Sequence, residues 1–413
     1  MIKIKALRGL RPRDDIAAQV AAPPYDVISS DEAREMAKNN PVSFLHVNKP
    51  EIDLPSSTDL YSEQVYAKGA ENLRRFIAEG ILLQDPQPAI YIYQQQWQGR
   101  TQTGYFCLAS VEDYDADRIR KHELTRASKE KDRTTLTDRQ NAQIGPVFLM
   151  YQAEPVLDGY LAEAATTSPL VDFTSPDSVR HTLWRIDDPA RIAQIEKGFA
   201  RLEKLYVADG HHRSAAASNI CRERRAANPD HTGEEPYNYF LAVIFPHHHL
   251  RILPYNRVVT DLNTLAPAEF MRAVEEKFDV QPAGAAVPEV PEHAMGMYLE
   301  GKWHLITPRP GTWDSRDAIE DLDVNILMKN LLVPLLAIGD PRTDQRIDFV
   351  GGIRGPEELV RLVDSGKFKV AFAMHPTSIE QLMAVADAGL IMPPKSTWFE
   401  PKLRSGLVIH LLD

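Results

Sequence analysis

Only two cysteines, Cys107 and Cys221, stand in 413 residues. Two thiols cannot make a disulfide framework or a four-thiolate zinc site. Positive charge is not in excess either: 47 Lys and Arg face 58 Asp and Glu, a formal charge of −11. A duplex-binding protein carries a basic face as a rule, because its affinity comes from counterions released off phosphates, so DNA is not an expected partner. Long apolar runs are missing as well. The opening stretch Met1-Ile-Lys-Ile-Lys-Ala-Leu-Arg-Gly-Leu interleaves charge with apolar side chains, unlike the core of a signal peptide. Leu331 to Ile338 is interrupted by Pro334 and is far too short to span a bilayer. A cytoplasmic protein with no membrane partner is expected. No H-E-x-x-H or C-x-x-C spacing occurs; in His247-His248-His249 at most His247 and His249 could share a ligand, and the triplet reads as surface histidines after a strand.

What is present, 43% hydrophobic and 25% charged residues, is the composition of a globular protein long enough for two domains. The pattern reads as mixed α/β (α+β). A short strand at Ile2–Ala6 precedes the rigid turn Ala22-Pro23-Pro24-Tyr25-Asp26, and Ser29 to Glu32 supplies cap candidates for a helix through about Lys38. Val65, Leu73, Phe76 and Ile77 mark a helix from Glu63 to Glu79, stopped by Gly80. Ala89–Tyr93 and Thr103–Ala109, either side of Gln98-Gly99, predict a hairpin with a longer loop. Gly145–Tyr151 and Leu205–Ala208 read as strands, and Tyr239–Phe245 as another, so that a strand–helix–strand crossover is available around residue 213. A helix is expected from Pro267 to Phe278, a Pro- and Ala-rich linker from Gln281 to Pro291, and a hairpin across Glu300-Gly301. Strands at Ile347–Val350, Phe368–Met374 and Leu407–Leu411 then alternate with helices from Glu357 and Ser378. The boundary falls between Thr260 and Pro291, dividing the chain into 1–260 and 261–413.

The sharpest chemical signal is Asp209-Gly210-His211-His212-Arg213, between a strand and a helix. Such a helix opening presents backbone N–H groups at the positive end of its dipole. Gly210 lets a phosphate approach the backbone, Arg213 offers a bidentate fork, and His211 and His212 can donate further hydrogen bonds. Asp209 can bind Mg²⁺ or orient a hydroxyl. A capped helix with clustered polar residues is the plainer explanation.

A second signal is the charged run from Lys121 to Arg133. Its His122, Glu123 and Glu130 are all chemically able to take a proton from a hydroxyl, while Lys129 and Arg133 could neutralise phosphate. A solvated charged helix is the alternative. Two weaker anion sites follow, Lys395-Ser396-Thr397 after a diproline turn, and His375 to Ser378 at a strand end.

At Asp209-Gly-His-His-Arg the chain resembles the ParB/sulfiredoxin-like superfamily, and the form with two histidines is most similar to its free serine kinases. The whole chain also resembles a broad bacterial and archaeal family carrying Ala22-Pro-Pro-Tyr-Asp-Val-Ile, Lys121-His-Glu-Leu-Thr-Arg, Lys129-Glu-Lys-Asp-Arg and Lys395-Ser-Thr-Trp-Phe-Glu-Pro-Lys402. The resemblance implies a ParB/sulfiredoxin-like core with an additional C-terminal α/β region. It implies a Mg²⁺-dependent phosphotransferase acting between a nucleotide di- or triphosphate and a small hydroxyl substrate, free L-serine, or phosphoserine in reverse. Glu123 then becomes the expected base, because a His-Glu pair precedes the turn in those kinases, with Asp209 and His212 as further catalytic residues. The alternative is a ParB-like nucleotide switch or partition protein without phosphotransfer. Against it, no basic recognition helix follows residue 213: the short cluster Arg222, Arg224 and Arg225 ends before Pro229.

Overall fold

The computed structural model describes residues 1–284 and 289–413, and the chain falls into two compact units. The first comprises Met1–Lys121, Thr125–Leu250 and Pro401–Asp413; the second comprises His122–Leu124 and Arg251–Glu400. Beside the sequence division into 1–260 and 261–413, these contacts divide the chain after Leu250 and return Pro401–Asp413 to the first unit. Both units are mixed α/β, as expected.

The first unit is built on a nine-stranded sheet. Its strands run in the order Ile119–Arg120, Leu205–Asp209, Val147–Tyr151, Tyr239–Pro246, Arg100–Ser110, Ile90–Trp97, Arg180–Ile186 and Val171–Thr174, with Ile4–Lys5 pairing onto Arg100–Ser110. Every residue of Val147–Tyr151 and Tyr239–Pro246 is buried. Continuous apolar sequence, without alternation, is what a strand covered on both faces requires. Tyr105, Leu149, Val207 and Ile244 are among the side chains of the core on one of those faces.

Three expectations are corrected here. The hairpin between Ile90–Trp97 and Arg100–Ser110 has no longer loop: Trp97 pairs with Arg100, and only Gln98 (φ 48°) and Gly99 (φ 73°) turn the chain. Left-handed backbone at both positions matches the twist of the flanking strands. The segment around residue 213 is not a simple crossover between adjacent parallel strands. Val147–Tyr151 lies between Leu205–Asp209 and Tyr239–Pro246, antiparallel to the first and parallel to the second. Of the expected strand Leu407–Leu411, His410–Leu411 pairs with Ala142–Gln143 and Ile409 bridges to Leu10.

Helices form where caps and periodicity place them. Ser29 and Glu32 close a capping box on Ser30–Ala37, and the helix Glu63–Ala78 buries Val65, Leu73 and Phe76 before Gly80 turns left-handed at φ 68°. The expected surface triplet His247–His249 is a short 3-10 turn in which only His248 is exposed.

In the second unit a six-stranded sheet runs in the order Phe278–Ala283, Lys302–Pro308, Met295–Leu299, Val370–Met374, Tyr255–Val259 and Ile347–Gly351. The hairpin across Glu300-Gly301 is as expected. The expected linker overlaps the edge strand Phe278–Ala283, which accommodates Pro282 because an edge has a side that need not donate; residues 285–288 of that linker lie outside the described residues. Among the described residues no helix is long and apolar enough to cross a membrane.

Candidate functional site

The Leu205–Asp209 strand buries Leu205 through Ala208 and loses its regular register against Val147–Tyr151 between Val207 and Asp209. The chain then turns at Gly210, φ 96° and ψ 28°, into the helix His211–Ala227. That backbone is open to glycine and strained for any residue with a Cβ. Space matters too: a Cβ at 210 would lie 3.2 Å from Arg213 Nε and 3.4 Å from Val147 Cα. Small residues follow, and Ser214 through Ser218 are all buried, so the helix start is seated firmly in the unit.

The side chains of this turn are already engaged. Asp209 Oδ1 accepts from the Gly210 N–H at 2.7 Å, and Oδ2 accepts from Lys402 Nζ at 2.9 Å. Burial would raise the Asp209 carboxyl, but the positive charges of Lys402 and then Arg213 outweigh it and hold the group below the usual carboxylate range. A cation therefore already occupies the carboxylate proposed from sequence to bind Mg²⁺, and Asp209 does not fit that role as built.

Arg213 also departs from the expected free bidentate fork. Its Nη1 donates to the Pro146 carbonyl, its Nη2 lies 3.9 Å from Asp26, and its Nε is buried without a partner. The guanidinium lies beneath Gly210, bracing the turn and placing positive charge behind it. His212 accepts from the Arg126 N–H at Nε2 (3.1 Å), which puts its own proton on Nδ1 if the ring is neutral.

The charged run divides. Ala127–Gln140 is a helix of the first unit, as the solvated-helix alternative had it, but it is anchored by specific contacts. Glu130 accepts from Thr125 Oγ1 (2.6 Å) and Asn219 Nδ2 (2.7 Å); these hydrogen bonds hold its carboxyl below the usual range and make it a weak base. Lys129 donates to the Tyr61 hydroxyl. Arg133 gives Nε and Nη2 to the buried Asp132 and lies 4.0 Å over the Tyr25 ring.

The structure thus gathers Asp209, Gly210, His211, His212, Arg213, Lys129 and Arg133 in the first unit, while Glu123, Lys395, Ser396 and Thr397 belong to the second. There, the His122 carbonyl accepts from the Met392 N–H and its Nε2 lies 3.4 Å from Thr397 Oγ1, beside a half-buried Glu123. Ser396 Oγ donates to the Pro393 carbonyl, and the Ser396 carbonyl accepts from Thr377. Lys395 sits left-handed at φ 60° with Nζ 5.5 Å from the Tyr255 ring centre.

Sequence reasoning gave no role to Lys402, Tyr25 or Asp26. All three stand in stretches that carry the family resemblance, which was the available signal.

Buried neutral histidines make a measurable statement about this unit. Burial pushes His211 and His410 down to about 4 and His181 to about 3. Arg404 Nε–H points at His181 Nε2 (3.3 Å), so the ring proton sits on Nδ1 and is donated to the Tyr93 oxygen at 2.7 Å. Unfolded histidine takes a proton near pH ~6.5. Between there and about 4 the unfolded chain binds more protons, so stability falls with falling pH. Glu196 and Asp323, both raised by burial, the latter to about 6, oppose this in part. Urea midpoints should decline from pH 7 to 4.5; a flat or rising series would mean the three rings are not held neutral.

The chain belongs to the family described as Protein of unknown function (DUF1015), whose model matches residues 4–325. No curated protein matches it. Among solved structures, a free serine kinase in complex with AMP is similar at 13% identity and TM-score 0.36, covering 73% of this chain and 92% of its own. A conserved hypothetical protein from Pyrococcus furiosus covers 73% and 95% at 13% identity and TM-score 0.35. SbnI with C-terminal truncation, from Staphylococcus aureus, covers 74% and 87% at 10% identity and TM-score 0.38.

Proposed function

We propose that the chain is a phosphotransferase that moves a phosphoryl group between a nucleotide di- or triphosphate and a small hydroxyl compound, with free L-serine as the acceptor, or phosphoserine as the donor in reverse. The observation that carries this reading is the left-handed Gly210 at the head of a long helix, with the cations Arg213 and Lys402 beside it. Charge on a transferring phosphoryl group spreads over its oxygens, and catalysis of such transfer is mostly positioning and electrostatic stabilisation. The turn supplies a backbone that can approach closely, and Arg213 lies buried behind it, with Asp26 and Asp209 nearby.

In the forward direction the acceptor oxygen bonds to the terminal phosphorus, the bond from phosphorus to the leaving nucleotide oxygen breaks, and the hydroxyl proton passes to a carboxylate. Glu123 is the proposed base, on its place in the sequence beside His122; Glu130, committed to Thr125 and Asn219, is the weaker choice. No step is assigned to a metal at Asp209, whose Oδ2 holds Lys402. Asp209 instead orients the turn.

The test is a ³¹P NMR screen of the purified chain with nucleotides and either serine or phosphoserine. A new phosphomonoester resonance with loss of the terminal nucleotide phosphate is expected. Unchanged spectra in both directions, in a chain that binds the nucleotide, would remove the transferase reading.

A further inference from the structure

Beside the phosphate turn lies a small cavity inside the first unit, walled by Tyr25, Asn48, Arg133 and Arg213, with Leu136 and Leu241 among its apolar faces. Its volume is about 40 Å³, and a single water needs only ~10–15 Å³ by the same measure. The space therefore suits a molecule of a few heavy atoms, and not a nucleotide.

The polar groups on its walls are unevenly satisfied. Asn48 is 3% exposed; its Nδ2 donates to the Pro23 carbonyl, and its Oδ1 is buried with no partner. Arg213 has a buried Nε without an acceptor. Arg133 spends Nε and Nη2 on Asp132, which leaves Nη1 for another acceptor. An amide oxygen stripped of water and left without a donor is costly, so such groups point to an occupant that completes them.

Each group asks for something different. Arg213 Nε and Arg133 Nη1 each ask for one acceptor oxygen, and the two oxygens of a carboxylate can supply one to each. Asn48 Oδ1 accepts and cannot donate, so it asks for an N–H or O–H. Inorganic phosphate serves the first demand, but its mostly ionised oxygens serve the second poorly. A simple fatty acid anion serves only the first, and an amino alcohol only the second.

We propose that this cavity binds a small molecule carrying a carboxylate and a neighbouring N–H or O–H donor, the carboxylate held between Arg133 and Arg213 and the donor given to Asn48. In an acceptor so held, the carboxylate end is buried and a hydroxyl further along the molecule is left for the phosphate turn. That the occupant is the acceptor of a transfer rests on the phosphotransferase reading; that the cavity binds this chemical class does not.

Calorimetric titration of the full chain with L-serine, ethanolamine, propionate and inorganic phosphate tests the assignment. L-serine should bind at least about tenfold more tightly than ethanolamine or propionate, the scale of one charge-assisted hydrogen bond. Inorganic phosphate should not displace it at equal concentration. Asn48→Ala and Arg133→Met should each weaken L-serine by about tenfold or more, and Asn48→Ala should leave ADP affinity within about twofold of the parent. Should Arg133→Met fail to fold because it strands Asp132, Asn48→Ala alone decides. Equal binding of L-serine and ethanolamine would overturn the proposal, as would unchanged affinity in the variants. So would the absence of binding by any probe, which would leave a cavity filled by water. A chain that binds L-serine here yet shows no transfer by ³¹P NMR upholds the site and sinks the transferase reading instead.

Discussion

Glu123→Gln is expected to lose about 10²- to 10⁴-fold in the rate of phosphoryl transfer, roughly 3–5 kcal/mol of barrier, with nucleotide affinity nearly unchanged. Glutamine keeps the volume and hydrogen bonding of glutamate but cannot take a proton from an attacking hydroxyl. The phosphates are assigned to the Gly210 turn and its cations, so the ground state should scarcely notice the change. Losing one negative charge could even tighten the nucleotide slightly. The neighbouring His122, whose carbonyl and ring are already fixed by Met392 and Thr397, should hold the local backbone in place in the variant. Initial rates and nucleotide titrations on one purified preparation separate the cases. Near-normal turnover would show that the base lies elsewhere, and loss of folding would make Glu123 structural.

Gly210→Ala is the second large effect, and it acts on structure and binding together. At φ 96° any L side chain is strained, a cost of about 1–3 kcal/mol. The new methyl would also meet Arg213 Nε at 3.2 Å and Cζ at 3.3 Å. That guanidinium cannot retreat freely, because Nη1 is held by Pro146, and the methyl itself would lie 3.4 Å from Val147 Cα. A total near 2–4 kcal/mol of lost stability is expected, in the upper range for a single substitution. Nucleotide affinity should fall by about tenfold or more, since a strained turn no longer presents the backbone on which a phosphate would sit. Chemical denaturation and nucleotide titration read the two parts separately. An alanine variant as stable and as tight as the parent would show that the turn does not depend on a bare backbone.

The local parts of this picture were legible because their causes are local. Leu205 to Ala208 could only be a buried strand, Gly210 marked the break, and Ser214 to Ala217 suited a close-packed helix start. The Ser29–Glu32 cap and the Glu300-Gly301 turn were readable for the same reason: a few adjacent residues decide them. What stayed hidden depends on distant partners. Nothing near Asp209 announces that Lys402, 193 residues on, will occupy its Oδ2. Arg213 read as a phosphate fork because its chemistry allows one, whereas its actual direction is set by the Pro146 carbonyl and Asp26. Glu130 looked as able a base as Glu123 until Thr125 and Asn219 were seen to hold it. The two-residue turn at Gln98-Gly99 was misjudged for a different reason: its strands extend further into polar sequence than their apolar ends suggest.

The return of Pro401–Asp413 to the first unit has a consequence for how the protein is made. Ser405 donates to the Ala22 carbonyl, Ile409 to Leu10 and Leu412 to Asn141, while Lys402 reaches Asp209. A ribosome delivers these residues after all of Arg251–Glu400, so most of the first unit emerges long before they do. Until then the turn at Gly210 carries a carboxylate whose ammonium partner has not yet been translated, and closing so long a loop is slow. A chain cut short before Lys402 would hold Asp209 through Arg213 and still lack the ammonium that donates to Asp209 Oδ2. The salt bridge that steadies the turn is thereby tied to synthesis of residues 401–413, while Arg213 is beside Asp209 from the start.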